Sequence, residues 1–88
     1  MDAYPVPFAI DRSRAPRLRI VNTSGEALRW IRVEMRGPGL AMAPLTPRLR
    51  PGAALDVLMR GDDLGRRSRV CVRWLRPNGE EYLWGVAL

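Results

Sequence analysis

The chain has 88 residues, 47% of them apolar, and its 15 basic side chains against 9 acidic ones leave a formal charge of +6. That length supports one domain, residues 1–88, with a modest core, because so short a chain buries only somewhat over ~60% of its unfolded surface. The apolar content excludes disorder as the default, and no apolar run reaches the roughly 20 residues needed to span a bilayer.

Residues 1–16 carry Pro5, Pro7 and Pro16. Proline cannot donate to a sheet ladder, so Tyr4 to Ile10 is expected as an edge strand, with Phe8 and Ile10 inward and a polar loop after it. Arg17 to Asn22 alternates, with Leu18 and Ile20 on one face and Arg17 and Arg19 on the other. Asn22-Thr23-Ser24-Gly25 is a turn cluster. Ala27 to Arg36 is the next strand, with Ile31, Val33 and Met35 inward. Leu28 and Trp30 fall in the opposite phase, which a bulge near Trp30 would reverse. Gly37-Pro38-Gly39 ends that strand. Leu40 to Arg50 contains Pro44 and Pro47 and reads as a loop or a short edge strand. Pro51-Gly52 suits the centre of a type II turn. Ala53 to Arg60 follows, with Leu55, Val57 and Met59 inward, and Gly61 to Arg67 is a charged loop. No window shows the spacing of an amphipathic helix.

The last twenty residues, RVCVRWLRPNGEEYLWGVAL, form a β-hairpin. Pro77-Asn78-Gly79 makes a three-residue loop with a glycine bulge, which sets Arg76 opposite Glu80. Trp74 then faces Tyr82, Val72 faces Trp84 and Val70 faces Val86, all on one face. A two-residue Asn78-Gly79 loop would split these aromatics between faces, so the first register is preferred. The expected core is Trp74, Tyr82 and Trp84 packed with Val70, Val72, Leu18, Ile20, Ile31, Val33, Leu55 and Val57.

Short strands with regular turn signals predict an all-β fold, an antiparallel sandwich of six or seven strands or a small barrel, ending in the hairpin 69–76/80–88. The order of LRIVN, WIRVEMRGPG, LRPGAALDVLM and a final pair around Pro-Asn-Gly resembles bacterial immunoglobulin-like or fibronectin-III-like β-sandwich modules, over about residues 17–88. The resemblance implies that strand 28–36 lies beside the final hairpin in one sheet, and that strands 17–22 and 54–60 lie in the other. The chain departs from antibody-type domains in lacking paired cysteines.

The side chains offer little catalytic chemistry. With no histidine, the commonest general base and metal ligand is missing. Cys71 has no visible base partner and reads as an inert side chain on the outer face. The adjacent pairs Asp62-Asp63 and Glu80-Glu81 lack converging ligands and read as turn and strand residues. No enzyme activity, cofactor or metal is expected. The single cysteine agrees with a reducing compartment, and the N-terminus lacks the pattern of a secretory signal, so a cytoplasmic location is expected.

The basic residues are all arginine and are spread along the chain, which favours a compositional origin over a dedicated anion site. The functional expectation rests instead on the outer face of the hairpin sheet. Leu28, Trp30, Arg32, Arg73, Leu75 and Leu83 are the candidate interaction residues, with Cys71, Glu34, Glu81 and Ala87 around them. A contiguous apolar group with a charged rim marks an interaction surface, and Trp and Arg dominate interface energetics. The chain is therefore expected to bind a protein partner, or itself, through this face. An arginine-rich nucleic-acid-binding domain is the alternative, with Trp30 as the one stacking platform. A covering N-terminal segment, or a bulge turning Trp30 inward, would remove the face.

Overall fold

The computed structural model describes residues 4–37, 39–61 and 68–87. Its strands are β1 (Phe8–Asp11), β2 (Arg17–Asn22), β3 (Leu28–Arg36), β4 (Leu40–Met42), β5 (Thr46–Leu49), β6 (Ala54–Arg60), β7 (Arg69–Leu75) and β8 (Glu81–Ala87). They form two four-stranded antiparallel sheets, in the orders β1-β2-β6-β4 and β5-β3-β7-β8, and no helix occurs among the described residues. The all-β expectation holds, with eight strands in place of six or seven. The difference lies in 40–50. Pro44 and Pro47 prevent one long ladder there, so the segment breaks into two short edge strands, one for each sheet. β4 pairs with β6, and β5 pairs with β3. The Gly61–Arg67 loop beyond Gly61, the Asp62-Asp63 pair and Pro38 lie outside the described residues.

Alternation along the strands builds the core. Leu18 and Ile20 of β2 and Leu55, Val57 and Met59 of β6 face Ile31 of β3 and Val70, Val72 and Trp74 of β7, and all are buried. The hairpin has the expected register, Trp74 with Tyr82, Val72 with Trp84 and Val70 with Val86. It follows from the turn: the Gly79 N–H donates to the Arg76 carbonyl at 2.9 Å, and Gly79 adopts φ +89°, a conformation open to glycine at no steric cost. At the Pro51-Gly52 turn the Ala53 N–H donates to the Arg50 carbonyl at 3.0 Å.

Tyr82, Trp84 and Val33 are only partly buried, yet they pack on the core. Tyr82 and Trp84 belong to β8, an edge strand with one open flank. The N-terminal segment meets the hairpin on its inner side. Phe8 sits edge-on to Trp74, with ring centroids 4.9 Å apart, and Tyr4 lies against Tyr82 at 4.6 Å. The Trp74 indole N–H points at the Tyr4 hydroxyl, 3.4 Å away. The segment therefore does not cover the sheet's outer face.

Asn22 ends β2 and is fully buried. A buried amide needs partners for both its donors and its acceptor, and Asn22 has them. Its Nδ2 donates to the carbonyls of Glu26, at 2.8 Å, and Leu49, at 2.9 Å. Its Oδ1 accepts from the Ser24 N–H at 2.9 Å and the Ser24 hydroxyl at 2.7 Å. Its backbone pairs with Ala53 and Gly52. One side chain thus fixes the 23–27 loop and ties the end of β2 in one sheet to the end of β5 in the other. Asn22→Ala should cost about 2–3 kcal/mol, because it takes a donor from the buried Leu49 carbonyl and loosens the contacts to Glu26 and Ser24. Denaturant unfolding measures this, and a loss under about 1 kcal/mol would contradict the assignment.

Beside Asn22, Glu26 takes a bidentate contact from Arg76, whose Nε lies 3.0 Å from Oε2. The Arg76 guanidinium also covers the Tyr4 ring at 4.1 Å. The Arg76 hydrogen bonds hold the Glu26 carboxyl below its ordinary value of 4.5. A carboxylate with a depressed folded pKa adds stability above its unfolded value, and that stability is lost as pH falls through the folded value. Glu26→Gln should therefore melt below wild type at neutral pH, and the gap should close on acidification below 4.5. Melting curves from about pH 7 to about pH 2 read this, and a gap independent of pH would exclude the linkage.

Candidate interaction site

The outer face of β5-β3-β7-β8 is shaped by an irregularity in β3. Arg29 pairs with Leu75 and Arg32 with Arg73, so Trp30 and Ile31 together oppose Trp74. One extra residue in a strand reverses the facing on either side of it. Leu28 therefore points inward, opposite Leu49, and is completely buried. This corrects its expected place on the outer face. Ile31, Val33 and Met35 still point inward. Trp30 takes up the irregularity with φ +51°, the only positive φ among the described non-glycine residues. Its indole is not turned inward and remains 52% exposed. On the other flank, the β3–β5 ladder pairs Arg29 with Arg48 and Ile31 with Thr46. The position between them holds Pro47, which has no N–H to lose there.

Trp30, Arg32, Arg73 and Leu75 line one hollow of about 390 Å³, with Leu45, Glu81 and Trp74. The structure thus brings together four of the six expected residues. Leu83 stays on the same face, opposite Arg73 and 56% exposed, but outside the hollow. Leu45 escaped the sequence reading because no periodicity marks a residue in a proline-flanked loop. Cys71 is a free thiol on this face, opposite Glu34 and Gly85.

Folding also gathers the arginines that look dispersed along the chain. Arg29 stands opposite Arg48, Arg32 opposite Arg73 and Arg36 opposite Arg69. Each pair shares the outer face, because its inward neighbours are core residues. Only Glu34 and Glu81 among the described residues oppose this charge on the face, and Glu81 is 3.3 Å from the Arg73 Nε. Like charges directly across a ladder are destabilising, and exposed ion pairs contribute little. The face therefore keeps an unfavourable positive field. The missed signal was strand pairing together with the bulge: alternation puts Arg32 and Arg36 on the face of Arg69 and Arg73, and the extra residue at Trp30 brings Arg29, with Arg48 opposite, to the same side.

A second hollow, of about 430 Å³, lies between Tyr4, Pro5, Val6, Pro7 and the 23–26 loop, where Glu26 and Arg76 already engage each other. No three His, Cys, Asp or Glu side chains gather as a metal site among the described residues. Glu80 holds the Asn78 amide and Glu81 sits beside Arg73, so that pair is divided between two local roles. Comparison of the chain with known protein families, curated proteins and solved structures finds no match.

A non-glycine residue at positive φ costs roughly 1–2 kcal/mol. Trp30→Gly should therefore be more stable than Trp30→Ala by about 1 kcal/mol, the reverse of the usual ranking in strands. Both variants lack the indole, so chemical denaturation of the two isolates the backbone effect. An alanine variant as stable as the glycine variant would rule out strain at this position.

Proposed function

We propose that the protein is a non-catalytic module that binds a partner protein through the outer face of β5-β3-β7-β8. The partner supplies an acidic segment with an apolar side chain that enters the hollow between Trp30, Leu45 and Leu75. The observation that carries this reading is the coincidence of an exposed, strained tryptophan over a partly apolar hollow with one arginine–arginine rung in its wall and two more on the same face. Carboxylates of a partner would relieve the like-charge contacts, and arginine forks match carboxylates bidentately. Trp and Arg are also the residue types that most often anchor interfaces.

The arrangement of strands supports reading the frame as immunoglobulin-like. The order β1-β2-β6-β4 parallels the A-B-E-D sheet of such domains, and β3-β7-β8 parallels C-F-G. β5 adds a strand beside β3, and its place after β4 in the chain departs from the usual order.

Nucleic acid is the second reading, favoured by the same gathered arginines and by Trp30 as a base-stacking platform. It accounts less well for the apolar wall of Leu45 and Leu75 and for the glutamates among the arginines. Affinity capture from cell extract, with wild type and a Trp30→Ser/Arg32→Ser variant as baits, tests both. The expected result is a protein partner that survives nuclease treatment and is lost with the variant. Single-stranded oligonucleotides give the second arm by fluorescence anisotropy. Tight binding at about 50 mM salt that falls steeply by about 200 mM, and is lost in the variant, would replace the protein reading with the nucleic-acid one. Capture by the folded variant equal to wild type would exclude this face altogether.

A further inference from the structure

The edges of a β-sandwich offer unpaired N–H and C=O groups, and natural sheets normally shorten, bend or interrupt them. Here β1 has four residues and β4 three, and β5 contains Pro47. β8 differs, running seven residues, EYLWGVA, with no proline and a single charge.

The hairpin fixes which of its groups face outward. The Arg76 N–H donates to the Glu80 carbonyl at 2.9 Å. Hydrogen-bonded and non-hydrogen-bonded rungs alternate along an antiparallel ladder. Tyr82, Trp84 and Val86 therefore bond to β7, while the N–H and C=O groups of Glu81, Leu83, Gly85 and Ala87 point to the open edge. A contact at that edge agrees, since the Arg12 Nη2 donates to the Ala87 carbonyl at 3.1 Å.

We propose that β8 pairs antiparallel with β8 of a second copy, about a two-fold axis at Leu83, to form one eight-stranded sheet. This register uses the outward groups of residues 81, 83 and 85 and leaves the Ala87 carbonyl to Arg12. A register centred on Trp84 would instead set Glu81 against Ala87, whose carbonyl is already taken. With Leu83 opposite itself, two exposed leucines cover each other on the outer face. On the inner face, Tyr82 of each copy meets Trp84 of the other, closing the flank that leaves both rings half-buried. Glu81 falls opposite Gly85, so no charge meets its like. That self-complementarity is what selects a second copy as the occupant. The two arginine faces then lie side by side on one surface. The proposal uses the strand edge and does not depend on the Trp30 hollow.

Sedimentation velocity over about 1–100 µM tests it with three variants. Leu83→Lys sets two ammonium groups against each other at the axis. Gly85→Pro removes an outward N–H and no bond to β7, and a Cβ at Gly85 meets nothing within 4 Å. Trp30→Ser alters only the outer hollow. The expected result is a wild-type dimer, a Trp30→Ser dimer of the same strength, and at least about tenfold weaker association in the other two. A wild type that stays monomeric at the highest concentration overturns the proposal. So does a dimer that Leu83→Lys leaves intact, whether or not the proline variant folds.

Discussion

Asn22 is the constraint on which the arrangement of the sandwich depends. Apolar burial is non-directional, so packing alone specifies the relative position of two sheets less sharply than directed hydrogen bonds between them do. Asn22 supplies such bonds. Its amide reaches the Leu49 carbonyl across the sheets and the Glu26 carbonyl in the loop entering β3. Since Leu49 pairs with Leu28, the same side chain also fixes where β3 begins relative to β2. Arg76 extends the anchorage, linking the end of β7 to Glu26 and covering Tyr4. Loop, hairpin and N-terminal segment are thus tied at one end of the molecule by polar contacts that aliphatic packing cannot provide.

From that anchored end, β3 runs two residues before its facing must change. Leu28 is required inside by Leu49, and Ile31 is required inside by the core. Two inward residues separated by three positions cannot both be satisfied by an unbroken strand of period two. The extra residue at Trp30 resolves the conflict and places the indole outside in a left-handed conformation. Pro47 on the neighbouring strand matches the interruption. The exposed tryptophan is therefore a consequence of core demands on both of its sides, and its strain is maintained by the surrounding ladder.

Much of this was legible in the sequence wherever alternation and turn chemistry agreed. The hairpin register followed from Pro77-Asn78-Gly79 together with the spacing of Val70, Val72 and Trp74. The partition of 17–22 and 54–60 into one sheet, and 28–36 with the hairpin into the other, came from the resemblance to immunoglobulin-like modules and not from alternation, and the two sheets have it. Three things were not. Asn22 looks like a turn residue, and its bonds to Ser24 and Glu26 are those of one, but its bond to the distant Leu49 is revealed by no local pattern. Leu28 looks exposed unless a bulge falls near Trp30, and only the β3–β7 pairing selects that alternative, reversing Leu28 and not Trp30. The segment 40–50 reads as a loop or one short edge strand, and its division into two was hidden because such short strands carry too few residues to display a period.

The arginines make the same point about charge. Along the chain they look evenly scattered, and that dispersion argued against a dedicated surface. In an alternating strand, however, residues two apart share a face, and antiparallel pairing then sets such faces beside one another. Arg32 and Arg36 come from one strand, Arg69 and Arg73 from the next, and Arg48 from beyond β3. Linear dispersion in a β-protein is therefore compatible with a concentrated field. The field is costly to a small domain, since native domains are stable by only about 5–15 kcal/mol. Opposed guanidinium pairs contribute nothing to the core and are easily replaced by threonine or valine, the residues that suit strands best. Nothing in the packing of the core requires them to align, and the sheet that carries them also carries the exposed, strained Trp30.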